Sequence, residues 1–212
     1  MFRDRDDAGT RLGVELSRLE LSDPVVLGIP RGGVLVAEGV GAALGVPVDV
    51  VVTRKIGAPG NRELAIGAIA PGVQVWDRDL VERMQVDPAY LQRTVAAEEA
   101  EIARRTAAYR RGRSPVALSG RAVVIVDDGL ATGATALAAV RWARAAGADS
   151  VLVAVPVAAG VTVALLAAEA DSVHAIETPA SFRAVGEWYE NFDQTSDDEV
   201  VAALDRSTEE RR

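Results

Sequence analysis

Val123-Val124-Ile125-Val126-Asp127-Asp128-Gly129-Leu130-Ala131-Thr132-Gly133-Ala134-Thr135 decides the reading of this chain. Its four consecutive β-branched residues, following Ala122, form the short apolar run expected of a strand buried on both faces of a parallel sheet. Two adjacent carboxylates then stand at the carboxyl end of that strand. A turn of small residues follows, and an alanine-rich helix over 134–146 begins, closed by Gly147. A helix N-terminus offers free backbone N–H groups and the positive end of the macrodipole, so a dianionic phosphate can sit there. Small residues at Ala131, Gly133 and Ala134 let such a phosphate approach the main chain, while Thr132 and Thr135 add hydroxyl donors. Asp127 and Asp128 repel a phosphate, but they accept hydrogen bonds from sugar hydroxyls and can hold Mg²⁺ directly or through water. A phosphorylated sugar is what this pair of sites would hold together. The alternative is a tight strand-to-helix turn in which the two aspartates only cap the helix. The string is not a P-loop, because no lysine follows the second glycine.

Residues 25–29 read as a second buried strand leading into the turn Pro30-Arg31-Gly32-Gly33. A helix over 34–44 follows and stops at Gly45-Val46-Pro47. Residues 49–53 read as a strand, and 54–63, punctuated by Gly57, Pro59 and Gly60, as a polar loop. Residues 64–69 and 72–76 form a hairpin around Ala70-Pro71. A long amphipathic helix spans 88–111, with Asp87 as N-cap and Pro88 at the first helical position. Downstream, 150–155 and 172–176 read as strands around a helix at 161–169, and a short helix follows Asp197. Strands alternating with helices predict an α/β fold, a mostly parallel central sheet flanked by helices, in one domain over 1–212.

Composition narrows the function. The chain has 212 residues, a net charge of −8, no cysteine and an ordinary 49% hydrophobic content, so it folds without disulfides or thiolate chemistry. The negative balance argues against a general grip on nucleic acid, which needs many lysines and arginines on phosphates. The charged start Phe2-Arg3-Asp4-Arg5 lacks a signal-peptide core and no apolar run is long enough to span a bilayer, so a cytoplasmic protein without membrane contact is expected. Every basic residue but one is arginine; the exception is Lys55, in the 54–63 segment.

The string at 123–135 resembles the phosphoribosyl-diphosphate motif of type I phosphoribosyltransferases, in particular bacterial members: four apolar residues, two acidic ones, then Thr-Gly-x-Thr. The resemblance extends over about residues 22–178. It implies that Ile29-Pro30-Arg31-Gly32-Gly33 is the diphosphate-binding loop, with a non-proline cis peptide in it. It also implies that 54–70 occupies the position of the mobile loop and that 179–212 supplies a small hood and C-terminal tail. The implied reaction transfers a 5-phosphoribosyl group from phosphoribosyl diphosphate to an unidentified nitrogenous base, with Mg²⁺ as cofactor and a homodimer as the common assembly.

On that resemblance, Asp127 and Asp128 hold the ribose hydroxyls and the metal, and Gly129 to Thr135 (Gly129, Ala131, Thr132, Gly133, Ala134, Thr135) cradle the 5′-phosphate. Pro30, Arg31, Gly32, Gly33, Arg54 and Lys55 take the diphosphate, and Glu63 is a candidate proton acceptor. Plain readings stand beside these: a simple turn at 30–33, and a solvated charged loop around Lys55. Phe182, Trp188, Tyr189 and Phe192 either stack on a base or close the end of the sheet. His174 reads as structural, and Glu177 as either a base contact or a cap. Ala131 stands where hypoxanthine-type members carry an aspartate, which puts 6-oxopurine specificity in doubt. The competing function is a regulatory protein that binds phosphoribosyl diphosphate or a nucleotide without transferring it.

Overall fold

The computed structural model describes residues 1–209, so the last three residues of the 179–212 segment lie outside the described residues. In chain order the elements are α1 (Arg5–Leu16), β1 (Val25–Gly28), α2 (Gly32–Leu44), β2 (Val48–Val50), β3 (Arg54–Ala58), β4 (Asn61–Ala70), β5 (Val73–Trp76) and α3 (Arg78–Arg83). They continue with α4 (Pro88–Arg110), β6 (Ala122–Val126), α5 (Ala134–Ala145), β7 (Ser150–Val157), α6 (Gly160–Leu166), β8 (Ser172–Glu177) and α7 (Asp197–Glu209), with a 3-10 turn at Val185–Trp188 before α7.

Five strands form a parallel sheet in the order β2-β1-β6-β7-β8, so β6 lies at its centre. Burial follows the two-residue alternation of a pleated strand. Leu27, Val123, Ile125 and Val153 face α5, whereas Val26, Val124, Val126 and Leu152 face Val36 and Val40 of α2. Because both faces are covered, Val123 to Val126 are wholly buried, as the β-branched run predicts.

A second, antiparallel sheet of β3, β4 and β5 packs Ile56, Ile66 and Ile69 against Val95, Ile102 and Tyr109 of α4 and Val200 and Leu204 of α7. The three buried α4 residues recur every seventh position, a single narrow stripe on a 23-residue helix. Asp87 caps α4 as expected, accepting from Ala89 N.

Two readings change, and α1 is added to them. Residues 54–63 are not a loop: β3 and β4 pair antiparallel around Pro59-Gly60, with register shifts at Gly57. The reason is alternation, since Ile56 and Ala58 turn inward and are fully buried while Lys55 turns out; the glycines and proline masked this pattern. The strand expected over 49–53 ends at Val50. The charged start contains α1, capped by Asp4, which accepts from Asp7 N. No helix among the described residues is long and apolar enough to cross a membrane.

Helices α1 and α2 cross at backbone distance. A Cβ on Gly39 would lie 2.7 Å from Gly9 C and 2.8 Å from Thr10 N, and one on Gly9 would lie 2.5 Å from Val36 O. Gly39→Ala gains about 1 kcal/mol of helix propensity, but overpacking costs about 1–3 kcal/mol. The expected outcome is net destabilisation, read as a lower urea midpoint; a raised midpoint would show that the crossing relaxes freely.

Candidate functional site

The carboxyl ends of β1 and β6 lie side by side, with Gly28 paired to Val126, so the turns that leave them meet. The turn after β1 carries a cis peptide between Pro30 and Arg31, as the resemblance implied. Ile29 N donates to Val126 O at 2.8 Å, and α2 begins at Gly32. There is no room here for side chains. A Cβ on Gly33 would lie 2.8 Å from Asp127 Cα and 2.9 Å from its Oδ1, and one on Gly32 would overlap the Asp128 carboxylate. The two glycines are therefore required by packing against the acidic pair.

Asp127 does not cap α5. Its Oδ1 accepts from Asp128 N at 2.9 Å, and no side chain caps that helix. Gly133 takes the N-cap position in the left-handed region (φ 73°), leaving the amides of the first turn of α5 unbonded by any side chain. The intervening turn is held on the sheet: Leu130 N donates to Val157 O, Ala159 N donates to Leu130 O, and Thr162 Oγ1 donates to Ala131 O. Ala131 and Thr132 are exposed at its tip, and Thr135 is half-buried.

Asp128 is held by residues far away in sequence. Nε of Arg5, in the first turn of α1, donates to its Oδ2 at 2.9 Å with Nη2 2.8 Å from the same oxygen, and Tyr189 Oη donates to its carbonyl oxygen at 2.6 Å. The aromatic cluster at 182–192 thus closes the end of the sheet: Phe2, Tyr189 and Phe192 stack in a row, and Arg5 lies 4.0 Å over the Phe192 ring. Arg5 and Tyr189 had no individual signal at the sequence level. The Asp4 cap foretells a helix, but nothing local pairs Arg5 with a residue 123 positions on.

Burial pushes the Asp127 carboxyl well above the usual carboxylate range, and the neighbouring Asp128 charge adds to this. Burial raises Asp128 as well, against the opposing pull of Arg5. Burial and the charge on Asp128 push the Tyr189 hydroxyl up, so it stays a donor.

The structure brings the turns at 30–33 and 127–133 together, but it sets the hairpin cations apart. Arg54, Lys55, Arg62 and Glu63 line a cavity of about 940 Å³ with Thr53, Arg93 and Glu98, and this cavity reaches Thr135 of α5. Neither Asp127 nor Asp128 lines it. Arg54 is ion-paired with Glu98 at 2.6 Å, and Arg31 Nη1 lies 4.0 Å from Asp197 Oδ1 at the start of α7. Lys55 has no ion pair among the described residues. An apolar cavity of about 930 Å³ between α4, β2 and Trp142 contains none of the candidate residues. His174 is structural, its Nε2 lying 2.7 Å from Glu15 Oε2 of α1; the main chain of Glu177 accepts from Ala158 N.

Comparison with known proteins adds the following. The family model of the phosphoribosyl transferase domain matches residues 6–199. A Mycobacterium tuberculosis protein named "Putative phosphoribosyl transferase" is 50% identical over 208 residues, 98% of this chain and 47% of that protein. The chain thus spans about half the length of the curated relatives it matches. The crystal structure of TT1426 from Thermus thermophilus is 45% identical, with a TM-score of 0.81 over 96% of this chain and 97% of that one. The purine phosphoribosyltransferase of Pyrococcus horikoshii, at 17% identity and TM-score 0.51 over 91% and 92%, shares the fold.

The raised Asp127 carboxyl gives a testable sign. Its ionised form is disfavoured in the folded chain, so stability is lost as pH rises from the ordinary carboxylate range through the raised value. Asp127→Asn keeps an acceptor for Asp128 N and should raise Tm by at least about 2 °C at pH 8. The gain should shrink toward pH 4, as followed by thermal denaturation across pH. A gain independent of pH would remove the charge explanation.

Proposed function

Since the chain belongs to the phosphoribosyl transferase family, we propose that it transfers a 5-phosphoribosyl group from phosphoribosyl diphosphate to a nitrogenous base, releasing diphosphate. The observation that carries this reading is the meeting of the Pro30–Gly33 turn with the Asp127–Asp128 turn, beside the uncapped N-terminus of α5. A phosphoribosyl group presents a phosphate, vicinal hydroxyls and a diphosphate, and this one end of the sheet offers a counterpart to each.

In this proposal the amides at the start of α5, with Thr132 and Thr135, hold the 5′-phosphate, as helix N-termini do. Asp127 and Asp128 accept from the ribose hydroxyls. As the C1–oxygen bond to diphosphate breaks and the C1–nitrogen bond forms with inversion, positive charge develops on the ribose, and the two carboxylates favour it. Arg31, with Arg54 and Lys55 swung in from the hairpin, neutralises the departing diphosphate. The base loses its proton as the bond forms, and Glu63 is the proposed acceptor.

Magnesium fits the donor set in a limited way. The carboxylates of Asp127 and Asp128 are hard oxygen donors, and each keeps an oxygen outside the contacts just described. Mg²⁺ bound by one or two carboxylates completes its shell with substrate oxygens and water. When bound, it would supply charge neutralisation at the diphosphate.

A second reading has one observation in its favour: Arg54 and Arg31 already face Glu98 and Asp197, so the cations meant for diphosphate are engaged within the chain. A protein that binds phosphoribosyl diphosphate without transferring it would tolerate this.

Incubation with phosphoribosyl diphosphate, Mg²⁺ and a panel of bases should release diphosphate with at least one of them. Saturable binding with no release under any base would favour the sensor. Asp128→Asn should lower kcat/KM by about 10²–10³-fold, the loss typical of one preorganised electrostatic contact. Glu63→Gln should lower kcat about 10²-fold or more; an unchanged rate and pH profile would take Glu63 out of the mechanism.

A further inference from the structure

The Arg5–Asp128 pair is placed where a structural ion pair has little reason to be. Both side chains are largely buried, at 12% and 17% exposure, and both guanidinium contacts go to the same oxygen, Oδ2. The remaining groups of the guanidinium are also engaged. Nη1 donates to Asp193 O at 2.8 Å, Cζ lies 4.0 Å over the centroid of the Phe192 ring, and a Cβ on Gly32 would come within 2.6 Å of Nε. Four separate segments therefore fix the orientation of Arg5: α1, the turn after β1, the turn after β6, and residues 192–193.

Docking α1 alone would not call for this arrangement. A buried ion pair gains about as much attraction as it loses in hydration, so it adds little net stability, and the apolar contacts of Leu12 and Leu16 already seat the helix. What the pair does achieve is to fix one carboxylate of the acidic motif. Asp128 Oδ2 is held by Nε and the adjacent charge of a planar guanidinium while Tyr189 Oη holds the carbonyl oxygen of the same residue.

We propose that Arg5 is a positioning residue of the phosphoribosyl site, holding Asp128 by Oδ2 alone so that Oδ1 is presented to the ribose hydroxyls of phosphoribosyl diphosphate. This rests on the phosphoribosyl reading above. Residues at the start of α1, before the first core strand, thereby belong to the binding site without touching the ligand. Phe192 and Asp193 support it in turn by fixing the plane of the guanidinium.

The test is a double-mutant cycle on the full chain, reading affinity for phosphoribosyl diphosphate with Mg²⁺ by calorimetry, and KM and kcat with any base that supports turnover. Arg5→Ala should weaken affinity and raise KM about 10–100-fold, the loss typical when a partner orienting a ligand-binding group is removed, with a smaller change in kcat. Arg5→Lys should recover part of the affinity. In the Asp128→Asn background, Arg5→Ala should change affinity by no more than about 2-fold, the limit of additivity error. Unchanged affinity in Arg5→Ala overturns the positioning role, and so does a loss of equal size in both backgrounds, which would mark a docking role for α1. If Arg5→Ala does not fold, Arg5→Lys and Phe192→Leu carry the cycle: losses that vanish in the Asp128→Asn background support the role, and losses that persist overturn it. An unaltered chain that fails to bind overturns the phosphoribosyl reading itself, a result separable from failure of the variants alone.

Discussion

Two backbone turns approach each other closely at the carboxyl ends of β1 and β6, and most of what is distinctive about this chain depends on that approach. Adjacent parallel strands emerge about 4.8 Å apart, so side chains on both turns would collide. Gly32 and Gly33 remove them from one side, and the acidic pair fills the space. Everything else near the site accommodates this choice. Two carboxylates crowded against a backbone need a counter-charge, which Arg5 supplies, and Arg5 in turn needs α1 laid against α2 at a distance only Gly9, Gly13 and Gly39 permit.

The second sheet answers a different constraint. It carries Lys55 and Arg54 on a strand whose alternate residues, Ile56 and Ala58, are sealed into the core it shares with α4 and α7. Tyr90 Oη donates to Gly57 O and Arg54 pairs with Glu98, so polar contacts from α4 hold the hairpin in addition to that core. The cations at the base of the hairpin are therefore mounted on a packed strand, and their reach depends on how readily the α4 contacts yield.

The central sheet was legible because its signal is local. A run of β-branched residues such as 123–126, followed by acidic and small residues and then an alanine-rich stretch, has few other ways to fold, and β6 and α5 fall within one residue of their expected positions. The hairpin was not legible, because Gly57, Pro59 and Gly60 carry a loop signature that outweighs the short alternation of Ile56 and Ala58. The acidic pair could be located but not its partners: Arg5 and Tyr189 reach Asp128 only through tertiary packing, 123 and 61 positions away. The aromatic cluster at 182–192 was visible as a cluster, with its alternatives open. The fold resolves it into a wall that supports the main chain of Asp128.

The clasp in which Phe2 N donates to Trp188 O, Glu190 N to Phe2 O and Asn191 N to Arg3 O bears on the order in which the molecule assembles. Within the parallel sheet β6, β7 and β8 follow one another along the chain, whereas β1 meets β6 only across the antiparallel sheet and α4. The clasp joins residues 2 and 3 to residues almost 190 positions away, and closing so wide a loop is entropically slow. Until it closes, Phe2, wholly buried in the complete fold, is exposed apolar surface. Tyr189, which holds the main chain of Asp128, lies within this clasp, so the end of the sheet that carries the acidic pair is completed by contacts of the widest sequence separation.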